Sequence, residues 1–224
     1  MAYNEFKYLV YDKDIRTIIS FLQKTSLLDD KYPFGTIETV YYDSLNFDSF
    51  KEAFDGYTNK KKYRVRRYLD SDKPNLQLQV KYKNMYQVNK IKLNLNSADK
   101  VHYIWSEYMK YINPNDKSLL YYCFFQSRPF IKTMSIKYDR FRFKFLDYRV
   151  NIDFNIRFET MRNDLLISKK VDFFKHAVLE IKTKANDIIT PTHYFKNLTQ
   201  TSFSKYAIGM YMLNRNFEKL GKYY

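Results

Sequence analysis

The residues best suited to chemistry are cations spaced two apart. Lys62, Arg64 and Arg66 fall on one side of a segment whose other side carries Tyr63 and Val65. Side chains along a β-strand alternate between faces, so this spacing lines three cations up in a row. The pattern recurs. Gln77, Gln79, Lys81 and Lys83 alternate with Leu76, Leu78, Val80 and Tyr82, and Lys90, Lys92 and Asn94 alternate with Ile91, Leu93 and Leu95. Arg140, Arg142 and Lys144 alternate with Phe141, Phe143 and Phe145. Arg149, Asn151 and Asp153 alternate with Val150, Ile152 and Phe154, and Val178, Glu180 and Lys182 with Leu179 and Ile181. Arginine grips anionic oxygens bidentately and lysine acts as a mobile point charge, so such rows are fit to hold a polyanion.

The elements must position those rows. A single antiparallel strand commonly solvates its polar face. Five or six such strands of one sign would set like charges side by side, which is destabilising. The better arrangement is a closed antiparallel β-barrel of about eight strands, with the cations turned onto a shared lumen. The expected fold class is therefore α+β, a cation-lined tunnel with flanking helices. Apolar spacing predicts helices over Asp12 to Leu28, over Ser97 to Tyr111, and from about Ser204 through Ile208, Tyr211, Met212 and Leu213. Tyr121-Tyr122-Cys123-Phe124-Phe125 reads as a core strand, and Trp105 as helix-to-barrel packing. Asn59-Lys60-Lys61-Lys62 reads as a basic turn, with Lys60 and Lys61 solvated where they could funnel substrate inward. No repeat or linker divides the chain, so residues 1–224 read as a single domain.

Composition narrows the partner. With 39 Lys+Arg against 24 Asp+Glu the formal net charge is +15, which selects a polyanionic partner without naming it. A hydrophobic fraction of 45% excludes a disordered polycation. Only 4 glycines argue against a glycine-rich phosphate loop. The lone Cys123 excludes an internal disulfide and a cysteine-cluster zinc site, and fits a reducing compartment, so a cytoplasmic location is expected. No apolar run approaches the roughly 20 residues that cross a bilayer, and no signal peptide is visible.

The segments, in order, resemble the polyphosphate polymerase domain of the vacuolar transporter chaperone (VTC) family, a branch of the triphosphate tunnel metalloenzymes related to the CYTH phosphatases. Glu5-Phe6-Lys7-Tyr8 resembles the family's first strand, and Thr39-Val40-Tyr41-Tyr42-Asp43 its T-x-Y-F-D strand. Tyr63-Arg64-Val65-Arg66 resembles the R-x-R strand, and Leu78-Gln79-Val80-Lys81 the L-E-x-K strand, followed by Lys90. Tyr138-Asp139-Arg140 and Arg149-Val150-Asn151-Ile152-Asp153 are similar to the next two arginine strands. Val178-Leu179-Glu180-Ile181-Lys182 is similar to I-L-E-V-K, and Ser202-Phe203-Ser204-Lys205-Tyr206 to the closing S-F-S-K-Y. No one motif is specific; eight in order across the chain are.

The resemblance implies transfer of the ATP γ-phosphate onto a growing polyphosphate chain, releasing ADP, with Mn²⁺ or Mg²⁺. It makes Lys7, Arg64, Arg66, Lys81, Arg140, Arg149 and Lys205 the catalytic candidates. Lys62, Lys90, Lys92, Lys182 and Tyr41 are the further phosphate contacts, and Glu180 and Glu5 the metal ligands. Phosphoryl transfer needs positioning and charge neutralisation above all, so His102, His176 and His193 are poor catalytic candidates; His176, which shares parity with Glu180, is the one that could point inward. Asp153 could orient Arg149. Two departures stand out: Tyr3 replaces the first acid of the E-x-E-x-K of tunnel phosphatases, and Gln79 replaces the acid of L-E-x-K. Both remove carboxylates, which disfavours a two-metal hydrolase. The expectation is of no helical sensor domain ahead of the chain and no membrane segment after it, which leaves inositol-phosphate sensing and vectorial export unsupported and recruitment by a membrane-protein partner open. Four functions compete: the polymerase, a tunnel triphosphatase, a polyphosphate-binding module, and a nucleic-acid binder, which the single inward cationic face disfavours.

Overall fold

The computed structural model describes residues 4–70, 75–84, 87–95, 130–145, 148–161, 170–183 and 198–214. The Ser97–Tyr111 helix, the Tyr121–Phe125 strand, Trp105, Cys123, His102, His193 and Tyr3 lie outside them. Among the described residues eleven strands form one sheet: β1 (Asn4–Val10), β2 (Leu27–Leu28), β3 (Phe34–Ser44), β4 (Lys60–Tyr68), β5 (Asn75–Asn84), β6 (Gln87–Leu95), β7 (Phe130–Phe145), β8 (Tyr148–Thr160), β9 (Val171–Phe174), β10 (Ala177–Thr183) and β11 (Thr199–Gln200). Hydrogen-bonded neighbours run β11-β1-β10-β8-β7-β3-β4-β5-β6, with β2 added on β7 and β9 on β8. Every ladder among the described residues is antiparallel. The sheet curls until β1 and β6 approach each other, but no ladder among the described residues joins them. The architecture is a curled half-barrel with few helices.

Helix α1 (Ile15–Thr25) covers the convex face, where Ile18 and Leu22 meet Tyr8, Val10, Phe143, Val150, Ile152, Leu179 and Ile181. It is shorter than expected from Asp12 to Leu28. A 3-10 turn (Asp12–Asp14) precedes it, Ser26 turns extended, and Leu27–Leu28 pair as a strand with Lys144 and Phe143. Helix α2 (Asp48–Phe54) and helix α3 (Lys205–Leu213) follow β3 and β11. Ser204 caps α3, its Oγ accepting the Ala207 N–H at 3.2 Å. Unlike α1, α3 enters the concave side, where Tyr206, Met210 and Leu213 pack on Ile37, Met134, Ile136, Ile156 and Phe158.

One backbone feature keeps that concave end apolar. On a regular β8, the face bearing Asn151 and Asp153 would continue through Asn155, Arg157 and Glu159. Asn155 instead takes φ 52, the β7–β8 register shifts beside it, and Ile156 and Phe158 come onto the inward face. Its side chain donates to Asp139 Oδ2 at 2.8 Å, which suits an asparagine in the left-handed region. The bulge thus switches one face from polar to apolar where α3 docks.

The docking is close at Gly209, where an added Cβ would lie 2.3 Å from Met134 Cε and 2.5 Å from Phe158 Cδ1. Gly209→Ala should therefore lower stability by about 1–3 kcal/mol through overpacking, despite alanine's better helix propensity. Thermal denaturation checks this, and an unchanged or raised Tm would contradict the close packing.

Candidate functional site

The inward parity positions gather on one cavity of about 560 Å³, counted to its open mouth. Strand β1 supplies Glu5 and Lys7, β3 Thr39 and Tyr41, and β4 Lys62, Arg64 and Arg66. Lys81 comes from β5, Lys90 from β6, Tyr138 and Arg140 from β7, Glu180 and Lys182 from β10, and Ser204 and Lys205 from the start of α3. Six of the seven catalytic candidates therefore converge, together with Lys62, Lys90, Lys182, Tyr41 and both acidic candidates.

Two positions do not. Arg149 is exposed: it pairs with Lys182 and Lys144 at the very start of β8, so its parity is inward but the strand end lies past the cavity. Lys92 is exposed as well, although it lies opposite the buried Gln79. Asp153 does not orient Arg149 either. It accepts Nη2 of Arg140 at 2.7 Å and pairs with Lys205. His176 lines no part of the cavity; it packs edge-on against Tyr11 and Phe174 and accepts the Asp12 N–H at 3.3 Å. Lys60, expected in a solvated turn, is the half-buried first residue of β4.

Three carboxylates organise the cations. The Glu5 side chain, 5% exposed, accepts both contacts of Lys81 Nζ, at 2.9 and 3.1 Å, and lies 3.1 Å from Lys7 Nζ. Glu180 pairs with Lys182, and Asp153 with Arg140 and Lys205. Arg64 is held by neutral groups instead: Nε and Nη2 donate to Gln79 Oε1 at 3.0 and 2.8 Å, and Nη1 to Tyr41 Oη at 3.3 Å. Gln79, at the position where the family pattern has an acid, thus fixes Arg64 without neutralising it. Arg66 donates to Tyr138 Oη at 3.1 Å, and Lys205 and Arg140 lie over the Tyr138 ring, 5.0 and 5.4 Å from its centroid. Tyr138, Thr39 and Ser204 were missed because only the cations carried the alternation signal. Tyr138 and Thr39 share strand parity with Arg140 and Tyr41, and Ser204 adjoins Lys205 as the cap of α3.

The electrostatics show how crowded the charge is. Burial and Glu180 push the Glu5 carboxyl up, yet Lys81, Lys7 and Lys182 outweigh them and hold it well below the ordinary range. Burial likewise raises Glu180, but Lys182, Arg140, Lys7 and Lys81 hold it well down. The lysines carry the cost of the crowding. Burial, then Lys7, Lys81, Lys60 and Arg64, drives Lys62 well below its ordinary value. Burial, only partly offset by Glu5, brings Lys81 to about 8, and burial with Lys182, Lys81 and Arg64 brings Lys90 to about 4. A polyanion entering the cavity would return protons to these lysines.

A divalent metal is implied by the tunnel-enzyme resemblance, and the oxygen donors suit one. Glu180 lies close enough to Glu5 to push its carboxyl up, and Asn151, directly opposite Glu180 on β8, has a buried Oδ1 without a hydrogen-bond partner. Mg²⁺ and Mn²⁺ take one or two carboxylates and complete their shells with water and phosphate oxygens. Among the described residues no cluster of three or more His, Cys, Asp or Glu side chains could hold a metal by itself.

A curled antiparallel sheet whose concave face converges cations on one cavity defines a half-barrel with a cationic lumen. The chain matches the VTC domain model over residues 2–214, and it belongs to that family. Solved structures share the fold. HpAC1 from Hippeastrum, a candidate adenylyl cyclase described as having a dominant triphosphatase activity, aligns with a TM-score of 0.53 at 13% identity over 93% of this chain and 95% of its own. A protein of Pyrococcus horikoshii aligns at 0.51 and 11% identity, over 92% and 97%. A candidate adenylate cyclase of Bacillus halodurans aligns at 0.50 and 10% identity, over 97% and 88%. At these identities the likeness is one of fold. No curated protein matches the chain in sequence. Among the described residues no helix is long and apolar enough to cross a membrane.

Lysines depressed in the fold contribute stability that is present above the ordinary value of 10.5 and lost as pH falls through their folded values, about 8 for Lys81 and about 4 for Lys90. Lys7, held above its ordinary value, acts only at higher pH. The Tm of the free protein should therefore rise between about pH 7.5 and 9.5, and tripolyphosphate should reverse that slope. Scanning calorimetry across the range checks both, and a falling Tm without ligand would contradict the account.

Proposed function

We propose that the chain is an ATP-dependent polyphosphate polymerase, working as one domain over residues 1–224, with the curled sheet forming a phosphate tunnel. The observation that carries this reading is the convergence of Lys7, Arg64, Arg66, Lys81, Arg140 and Lys205 on one cavity. Three carboxylates, Glu5, Asp153 and Glu180, offset them. The terminal phosphate of a polyphosphate chain is already an anionic nucleophile, so no histidine base is needed. Its oxygen attacks the γ-phosphorus of ATP, a new P–O bond forms, the β–γ bridging P–O bond breaks, and ADP leaves with the bond electrons. Arg64, Arg66 and Arg140 grip non-bridging oxygens and align the two phosphates in line. Lys7, Lys81 and Lys205 neutralise charge that both substrates bring together. Glu180, with Glu5 and Asn151 beside it, would hold Mn²⁺ or Mg²⁺, which supplies neutralisation of phosphate oxygens when bound.

A second reading, a tunnel triphosphatase, is favoured by the facing pair Glu5 and Glu180, both held ionised and able to hold metal beside a water. Incubation with ATP and Mn²⁺ or Mg²⁺, followed by gel electrophoresis and phosphate assay, separates the two. The polymerase yields long chains with stoichiometric ADP, the hydrolase orthophosphate with stoichiometric ADP and no chains, and a pure binder none of these. Arg64→Ala should reduce synthesis by about two orders of magnitude or more. It should leave Tm unchanged or raised, because the partners of Arg64 are neutral. Wild-type synthesis by Arg64→Ala would overturn its assigned role. Glu180→Gln should remove the metal dependence, and retention of it would remove Glu180 from the metal site.

A further inference from the structure

Arg140 and Arg64 are held in the same way, side-on through Nε and Nη2. Asp153 receives Arg140 with two carboxylate oxygens, whereas Gln79 receives Arg64 with its single amide oxygen Oε1. The first arginine is neutralised by its clamp, and the second keeps its whole charge. The surroundings make a glutamine unexpected at this point. Gln79, 2% exposed, lies on β5 directly between Arg64 of β4 and Lys92 of β6. With cations on both flanking strands and Lys81 two residues along its own face, a carboxylate would be the stabilising residue there.

A second glutamine holds the first. Gln79 Nε2 donates to Gln77 Oε1 at 2.8 Å, two residues back on the same inward face. That bond turns the amide oxygen toward Arg64, which has no acceptor and could not pair with the NH₂ end. Tyr41 Oη takes a third N–H of Arg64 at 3.3 Å. A guanidinium carries five N–H groups, so one on each Nη remains for a ligand in the cavity that Arg64 lines.

We propose that Gln79, oriented by Gln77, is a specificity-determining residue that makes the cavity select a nucleoside triphosphate as the bare polyanion over its divalent-metal complex. The inference deepens the proposed function and rests on it for the phosphate ligand. A metal complex carries two fewer negative charges than the bare anion, so each positive charge kept in the lumen favours the bare form more. Glu180 and Glu5, which would hold a metal, lie on β10 and β1, so the phosphate need not carry one in. A glutamate at position 79 would clamp Arg64 as Asp153 clamps Arg140 and cancel the preference.

Calorimetric titration of the full chain with β,γ-methylene ATP, which neither a polymerase nor a hydrolase cleaves at that bridge, tests it with a chelator and again with excess Mg²⁺. The wild type should bind the bare form more tightly. Gln79→Glu should weaken the bare form by about tenfold or more and the Mg²⁺ complex by about threefold or less, because the added charge acts on a ligand of about half the charge. Its Tm should not fall, since the new carboxylate sits between Arg64 and Lys92. Gln79→Met removes the clamp without adding charge and should weaken both forms alike. Equal weakening of both forms by Gln79→Glu, no weakening of either, or tighter binding of the Mg²⁺ complex by the wild type overturns the proposal. A chain that shows the split yet makes no polymer from ATP keeps the role of Gln79 and loses only the polymerase reading. A chain that makes polymer without the split loses only the role of Gln79.

Discussion

The molecule is organised around a repulsion. Arginines and lysines from β1, β4, β5, β6, β7 and β10 are turned onto a partly desolvated concave face, where charge interacts more strongly than in water. Three buried acids keep this tolerable: Glu5 holds Lys7 and Lys81, Glu180 holds Lys182, and Asp153 holds Arg140 and Lys205. Their positions explain why Arg140 and Arg64 are not equivalent. Removing Arg140 would leave Asp153 buried with Lys205 as its main counter-ion, whereas removing Arg64 relieves like charge around neutral Gln79 and Tyr41. The imbalance that remains is borne by Lys62, Lys81 and Lys90, whose protons are the first to go.

The scaffold separates this polar half from an apolar one. Along β7, Arg140 and Tyr138 face the cavity while Ile136 and Met134, two and four residues further in, face α3. On β8 the change of character would have required polar residues to face the helix, and the bulge at Asn155 re-phases the strand so that Ile156 and Phe158 do so instead. Helix α3 then carries Tyr206 and Met210 into the apolar end and Ser204 and Lys205 to the polar one. Tyr206 joins the halves, donating to Asp43 Oδ2 at 2.7 Å and stacking on Tyr41, whose hydroxyl receives Arg64. Binding chemistry and closure of the concave side are thus coupled through one tyrosine pair.

Period-two alternation made most of the strands legible, because an inward cation opposite an outward apolar residue leaves a plain mark in the sequence. The inward set Lys7, Arg64, Arg66, Lys81, Arg140 and Glu180 followed from it together with the family resemblance. Parity, however, fixes a face and not a depth. Arg149 shares the face of Asp153 and Lys92 that of Lys90, yet both side chains are exposed and line no part of the cavity. The extent of α1 was overestimated for a related reason, since Leu27 and Leu28 continue the apolar stripe but find a partner in β7 rather than a further helical turn. The hidden partner of Arg140 was also out of reach, because the choice of Asp153 between Arg140 and Arg149 depends on the cross-strand register. A closed barrel was expected, and the curl toward β1 is present without a ladder joining β6 to it among the described residues.

An excess of cation in the concave face, beyond what its three carboxylates offset, is what a bound polyanion would relieve. Lysine side-chain NMR, following the ε-carbon and ζ-nitrogen resonances through a pH titration with and without tripolyphosphate, addresses it group by group. The account predicts lysines that titrate at or below about 8 in the free protein, Lys81 among them, and that move back toward 10.5 when tripolyphosphate binds. If every lysine of the free protein titrated in its ordinary range and the ligand moved none of them, the crowding on which the account rests would be absent.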